Sequence, residues 1–201
     1  YCYISGRCLP PFFEHKYRIA YSMVEHVQAI DDIKHPAVRA TLHYMAIADG
    51  MEIHVHGNGQ DQLIQIMKAG KLVVHGDVGQ TFGYAAKGGD VFVLGNAAGR
   101  PFINAVGKPR VVINGTCLDY LAESFMAGDP LNGGGFVVLN GIRLTDDGAL
   151  EPLDTPYPGG NLFSLASGGA IYLRDPYHLV TADQVNGGEF WSRWETKQPS
   201  T

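Results

Sequence analysis

The stretch Lys71-Leu72-Val73-Val74-His75-Gly76 returns 19 residues later as Asp90-Val91-Phe92-Val93-Leu94-Gly95. Each copy places apolar residues at alternate positions and ends on glycine, which predicts a short β-strand with one apolar face. The pattern occurs six times between Gly50 and Asp175, at steps of 19, 19, 20, 26 and 34 residues read from the residue numbers. The copies are Ile53-Val55-Gly57, Leu72-Val74-Gly76, Val91-Val93-Gly95, Val111-Ile113-Gly115, Val137-Leu139-Gly141 and Ile171-Leu173-Asp175. Self-similarity at a period near 20 residues is typical of repeat folds.

The connections between the copies decide how the strands assemble. They are too long for tight hairpins, lack helical periodicity, and are rich in glycine, asparagine and proline. A lone strand buries nothing, whereas equivalent strands stacked in register bury their apolar faces together. We therefore predict an all-β solenoid over residues 50–175, a single-stranded right-handed parallel β-helix whose units rise by about 4.8 Å. The glycines expected at its turns are Gly57, Gly76, Gly79, Gly83, Gly95, Gly99, Gly115 and Gly141.

The segments on either side of the repeats differ in pattern. Residues 1–16 have no periodicity and are predicted to be irregular, whereas residues 17–34 and 36–48 have the apolar spacing of helices. We expect residues 1–49 to form an irregular segment and a helical cap over one end of the stack. Residues 176–201 form the predicted C-terminal tail, which contains an aromatic cluster of Phe190, Trp191 and Trp194.

Composition excludes several classes of protein. The net charge of -5 argues against a nucleic-acid partner, and no apolar run reaches the length of about 18 residues that spans a bilayer. Three cysteines are too few for a secreted disulfide framework, so we expect a cytoplasmic protein. The sequence contains neither a nucleophile elbow nor a phosphate-binding loop, and we predict no catalytic residues.

Two groups of side chains are candidates for a metal site. His54 and His56 share one face of a strand, and His75 is expected directly above His56 on the next unit, where imidazoles within reach of one another bind zinc. Cys2 and Cys8 are further candidate ligands, with Cys117 the remaining thiol. The alternative is an ordinary polar row that continues as Leu94, Asn114, Asn140 and Arg174. We predict that the chain holds no metal and keep the histidines and cysteines as candidates.

A second row of outward residues is apolar. The residues between the inward positions are His54, Val73, Phe92, Val112, Val138 and Tyr172, here called the outer row. An exposed apolar row indicates an interaction surface, to which the tail aromatics Phe190, Trp191 and Trp194 are candidate contributors. The alternative is that the N-terminal helices or the tail cover this row. Four further aromatics at repeat spacing are predicted to stack in the core at one corner: Phe82, Phe102, Tyr120 and Phe163.

The turn Gly76-Asp77-Val78-Gly79-Gln80-Thr81-Phe82-Gly83 and the following Gly88-Gly89-Asp90-Val91-Phe92-Val93-Leu94-Gly95 resemble a known family. They look like the C-terminal GXGXG-type domain of the glutamate synthase large subunit. The repeat is also similar to the subunit of formylmethanofuran dehydrogenase that contains the same type of repeat. The resemblance extends from about Ile30 to Asp175. It implies a right-handed β-helix that carries no catalytic residues and packs catalytic domains against each other.

The resemblance also implies a setting. We expect a non-catalytic scaffold subunit or domain of a glutamate-synthase-like oxidoreductase complex in amino-nitrogen metabolism. Its partners would be amidotransferase-like and flavin synthase-like subunits, with FMN and iron–sulfur clusters in those chains and no cofactor in this one. One alternative is the repeat-containing subunit of a formylmethanofuran-dehydrogenase-like one-carbon oxidoreductase complex. Another is a stand-alone metal-binding enzyme at the histidines His54, His56 and His75.

Overall fold

The computed structural model describes residues 2–6 and 51–185. Both predicted helices and the aromatic tail cluster lie outside these residues. Strands dominate the described part, and its only helical elements are two short 3-10 helices, Pro130–Asn132 and Ala182–Gln184. Among these residues we find no helix with the length and apolar character of a membrane span. The strands are β1 (Cys2–Gly6), β2 (Met51–Val55), β3 (Lys71–Val74), β4 (Asp90–Val93), β5 (Arg110–Ile113), β6 (Phe136–Leu139), β7 (Ile142–Leu144), β8 (Leu150–Pro152) and β9 (Ala170–Leu173).

The main sheet has the strand order β1-β2-β3-β4-β5-β6-β9. From β2 to β9 every pairing is parallel, and equivalent residues of successive copies are direct partners, as in Leu72↔Val91 and Val91↔Val111. The predicted parallel register is therefore confirmed. β1 is antiparallel to β2, with Ile4 opposite Ile53. The prediction that residues 1–16 are irregular is thus wrong for residues 2–6, where pairing with the exposed edge of β2 imposes a strand that has no repeat signal of its own.

The core lies behind the parallel strands. Their inward residues are almost fully buried from β2 to β6, and the two inward rows become half-buried only at Ile171 and Leu173 in β9. Burying one Val, Leu or Ile side chain contributes roughly 1.5–3 kcal/mol, so the two rows are a substantial part of the core, to which the connections add large buried side chains such as Phe82, Phe102 and Phe125. The connections stack as well, as shown by the parallel bridges Val78↔Ala97 and Ala97↔Cys117.

Glycines follow the strands because a side chain of the preceding unit occupies the space that a Cβ would fill. The Asp77 carboxylate accepts a hydrogen bond from the Asn96 backbone N at 2.7 Å, and a Cβ on Gly95 would overlap that carboxylate. Such a Cβ would also lie 2.7 Å from the Gly76 backbone oxygen. The same relation recurs one unit away between Asn58 and Gly76, so the Gly-Asn and Gly-Asp pairs of the sequence are a device for stacking units.

Each connection contains an arc in which every second residue has a left-handed backbone. Of the 15 non-glycine residues with positive φ in the described part, 14 lie in five arcs, at residues 62–66, 81–85, 100–104, 120–124 and 161–165. Hydrogen bonds to adjacent units hold these conformations. In the second arc, Thr81 N donates to Gly99 O at 2.9 Å, whereas Gly83 N donates in the opposite direction to Leu63 O at 3.0 Å. An arc in the middle of the stack is therefore held by the units on both sides, whereas the first arc is bonded to the following unit, from Gln62 N to Gln80 O and from Ile66 N to Tyr84 O.

The predicted aromatic corner is only partly confirmed. Phe82 and Phe102 are buried and pack edge to face, with ring centroids 5.4 Å apart. The space for the Phe102 ring comes from Gly83, where a Cβ would lie 2.6 Å from the ring. Tyr120 does not join them, because it lies against Arg100, whose guanidinium is 4.9 Å from the Tyr120 ring centroid. Phe163 packs instead on Phe125 at 6.0 Å.

The long step between β6 and β9 contains a projecting hairpin. β7 and β8 pair antiparallel, and Arg143 bonds to Glu151 across them at 2.6 Å. After β9 the chain returns to the stack, since Leu162 N donates to Gln184 O at 2.7 Å. Gln184 Nε2 donates in turn to the backbone oxygen of Tyr157 at 2.9 Å.

Replacing Gly95 by alanine is expected to lower the free energy of unfolding by about 1–3 kcal/mol, because the new Cβ displaces the Asp77 carboxylate and crowds Gly76. Gly160→Ala is the matched control, since nothing lies within 4 Å of a Cβ at that position. Chemical denaturation of both variants measures the difference. Equal stability of the two variants would show that the units are not in the close contact described.

Candidate functional site

Side chains form rows along the outer face of the sheet, with one member of a row on each parallel strand. The register places His54, Val73 and Phe92 on successive strands. Val112, Val138 and Tyr172 continue the outer row on β5, β6 and β9. Phe92 and Tyr172 are 38% and 50% exposed, and the other members are half-buried. The predicted outer row therefore exists, is apolar from Val73 to Tyr172, and has two protruding aromatic rings.

A charged row lies beside it on β2 to β5, two residues earlier on each of these strands. Lys71 bonds to Glu52 at 2.8 Å and Arg110 bonds to Asp90 at 2.6 Å, so opposite charges alternate along the first four parallel strands. Lys71 also lies 6.0 Å from the centre of the Phe92 ring, which links the charged and apolar rows. The charged row thus borders the apolar row with ion pairs whose charges balance each other.

An open groove of about 510 Å³ lies where the connections enter the strands. It contains exposed lysines from three successive units, Lys68, Lys87 and Lys108, in addition to the paired Lys71 and Arg110. The first three lysines have no ion pair within the described part of the chain. The groove is therefore a local positive surface on a protein with a net charge of -5.

The histidine cluster of His54, His56 and His75 lies at the β2–β3 end of the same face. The His56 and His75 rings stack with centroids 4.2 Å apart, as their spacing of one repeat predicts. His54 Nδ1 lies 3.3 Å from His75 Nε2, and one ligand nitrogen from each ring lies within 4.8 Å of the others. On the opposite side of its ring, His54 Nε2 lies 2.8 Å from Glu52 Oε1. The three predicted candidate side chains are brought together.

The charge state of this cluster follows from its contacts. Partial burial lowers the pKa of His75, and the nearby His56 and His54 rings lower it further. The Lys71 ammonium lowers the pKa of Glu52 through a hydrogen bond, and His54 adds a second. Glu52 is therefore an anion near neutral pH, whereas His75 is neutral there. A neutral imidazole and an anchored carboxylate are the states that favour metal ligation.

The cysteine candidates do not assemble into a site in the described residues. Cys117 is fully buried, and burial raises the pKa of its thiol, so it is an unreactive core side chain. The backbone of Cys2 pairs with Val55 in the sheet. Cys8, like Phe190, Trp191 and Trp194, lies outside the described residues.

Two features of this face were missed at the level of sequence. The alternation of Glu52, Lys71, Asp90 and Arg110 was detectable at the residue that directly precedes the first inward position of each copy. The lysine groove had a weaker signal, because the lysines precede β3, β4 and β5 at unequal distances of three, three and two residues. The third lysine therefore does not align with the other two in the repeat.

Comparison with known proteins gives one positive finding. A model of the GXGXG motif family matches residues 43–190. Comparison of the chain with curated proteins and with solved structures gave no match. The matched residues include every parallel strand, the histidine cluster and the outer row, and they make up well over half of the chain.

His75 is expected to titrate below the ordinary histidine pKa of about 6.5, measured by NMR on the metal-free protein. The unfolded chain then binds more protons than the folded one, so stability is full above about pH 6.5 and falls as the pH drops below it. His56→Gln removes one neighbouring charge and should raise the pKa of His75. A His75 pKa at or above 6.5 in the parent protein would contradict the packing described.

Proposed function

Because the chain belongs to the GXGXG motif family, the type of domain at the C terminus of the glutamate synthase large subunit, we propose that it is a non-catalytic packing domain of an oxidoreductase assembly. In this proposal the catalytic centres, with FMN and iron–sulfur clusters, belong to amidotransferase-like and flavin synthase-like partners. The assembly would act in amino-nitrogen metabolism. This chain contributes a rigid surface against which those partners are positioned.

The proposed fold is a single-stranded parallel β-helix. The six parallel strands in register support it, as do the hydrogen bonds that join the arcs of successive units. Parallel crossovers in one sheet are right-handed in nearly all proteins, so right-handed winding is part of the proposal. A repeat protein of this kind presents one long, stiff face, and rigidity is what a packing domain requires.

The outer row is the single observation that carries the proposed role. Its apolar side chains run from Val73 to Tyr172. Along β2 to β5 the neighbours on one side are the ion pairs Glu52–Lys71 and Asp90–Arg110, and on β6 and β9 they are Phe136 and Ala170. On the other side Asn140 donates to Asn114 at 2.9 Å. An apolar centre between polar margins is the usual arrangement of a protein interface. The proposed occupant is a catalytic domain of the same assembly.

Two other arrangements remain open to the same test. In the first arrangement, the predicted N-terminal helices or the tail of this chain cover the outer row, and the row binds no partner. A role as the repeat-containing subunit of a formylmethanofuran-dehydrogenase-type complex would use the same face with a different partner. Molybdopterin in the co-purified assembly would identify that second arrangement, whereas flavin identifies the proposed one.

The test is co-expression of the chain with amidotransferase-like and flavin synthase-like subunits from the same source, followed by purification through a tag on this chain. We expect flavin and iron–sulfur absorbance to co-purify. The double variant Phe92→Glu/Tyr172→Glu should reduce the recovered partner at least tenfold, because it places two charges in an apolar contact. Its thermal midpoint should stay close to that of the parent, since both side chains are substantially exposed.

The matched control is Leu131→Glu/Leu150→Glu, which changes two exposed leucines away from the outer row. This variant should retain the partner. Equal loss or equal retention in both double variants would refute a role for the outer row. A monomeric chain without partner or flavin would refute the packing function itself.

A further inference from the structure

The geometry of the histidine cluster points to a site for one divalent transition-metal ion of the zinc class, and we propose that this ion links strands β2 and β3. The ligands are His54, His56 and His75. This inference does not depend on the proposed packing function, because it rests on three side chains at one end of the sheet.

The nitrogen spacing fits a tetrahedral ion. Two imidazole nitrogens bound at about 2.0–2.1 Å to tetrahedral zinc lie roughly 3.3 Å from each other. His54 Nδ1 and His75 Nε2 are 3.3 Å apart. The third ring, His56, is exposed and has its ligand atom within 4.8 Å of the other two, so rotation of that ring out of its stack on His75 would complete a three-nitrogen set.

Glu52 orients the central ligand. Its carboxylate lies 2.8 Å from His54 Nε2, which places the ring proton on that nitrogen and leaves the Nδ1 lone pair directed toward His75. A carboxylate that accepts from the far nitrogen of a ligating histidine is the usual support of a zinc site. Lys71 holds the same carboxylate oxygen at 2.8 Å, so the orienting group is itself fixed. Glu52 is therefore a positioning residue and not a ligand.

The donor set selects the class of ion. Three imidazole nitrogens suit zinc, copper, nickel or cobalt, whereas magnesium and calcium require oxygen ligands that this cluster does not offer. Within the described part of the chain the cluster lies on the surface, so a fourth position is left for water or for another group. An open fourth position is the arrangement of zinc sites that bind an exchangeable ligand.

The repeat pattern sets this cluster apart from an ordinary polar row. The row containing His56 and His75 continues on later units as Leu94, Asn114, Asn140 and Arg174, so imidazoles occur only on the first two units. The third histidine, His54, occupies a position of the outer row that is apolar on the later parallel strands. It lies on the strand that is next to the other two histidines.

The experiment uses the full chain after removal of metal with a chelator. Zinc is added, unbound ion is removed by desalting, and bound metal is measured by mass spectrometry. We expect one zinc per chain. At a zinc concentration 100-fold above Kd, the thermal midpoint should rise by about 5–10 °C, because the ion binds only the folded arrangement of β2 and β3. Cobalt in place of zinc should give the visible absorption of a tetrahedral site.

His54→Gln/His75→Gln should abolish binding and remove the rise in thermal midpoint, whereas His178→Gln, at an exposed histidine elsewhere in the fold, should leave both unchanged. Glu52→Ala should weaken binding by roughly 10–100-fold without abolishing it, as expected for a positioning residue. Absence of bound zinc in the parent chain would overturn the proposal. Stoichiometric zinc in the double variant, or one zinc shared by two chains, would overturn it equally.

Discussion

Contact between equivalent residues of successive repeat units is the constraint on which the rest of this structure depends. A unit of 19 or 20 residues returns the chain to the same position one strand higher, so Leu72, Val91 and Val111 lie directly above one another. The same return places Asp77 under the Asn96 backbone amide and His56 under His75. Core, turns and candidate metal site are thus consequences of one register.

The constraint has an energetic cost that neighbouring units offset. Left-handed backbone at non-glycine residues costs about 1–3 kcal/mol each, and the arcs contain many such residues. Hydrogen bonds from the arc amides to the unit above or below offset part of this cost. Without them, each buried amide would be left unpaired, which costs further free energy. A single unit would therefore be unstable alone, and stability increases as units are added.

The features that follow from the repeat register could be predicted from the sequence. The inward rows, the outer row and the histidine cluster followed from the period and from strand alternation. The arcs were not predictable, because residues such as Ile64, Thr81 and Phe102 give no sign that their φ is positive. Tyr120 was assigned to the core because of its aromatic ring, whereas the true register places it over Arg100. β1 has no repeat signal, since only the open edge of β2 makes it a strand.

The proposed partner surface and the proposed metal site lie on the same face of the sheet, in different parts of it. The apolar row offers area for a partner, and the histidines offer ligands at its first strand. Because the parallel strands share one register while their outward side chains differ in chemistry, surface chemistry can change without a change in the core. This is a general property of repeat folds, in which function lies in side chains placed on a constant frame.

Removal of one whole unit tests the central claim most directly. Deletion of residues 96–115 joins Gly95 to Thr116 and preserves the register, because Gly95 and Gly115 are equivalent, whereas deletion of residues 96–105 removes half as much chain and breaks it. Chemical denaturation should show cooperative unfolding for the 20-residue deletion and little or no folded protein for the 10-residue deletion. If the variant with the 10-residue deletion is as stable as the variant with the 20-residue deletion, or more stable, stacking in register is not what stabilises this protein.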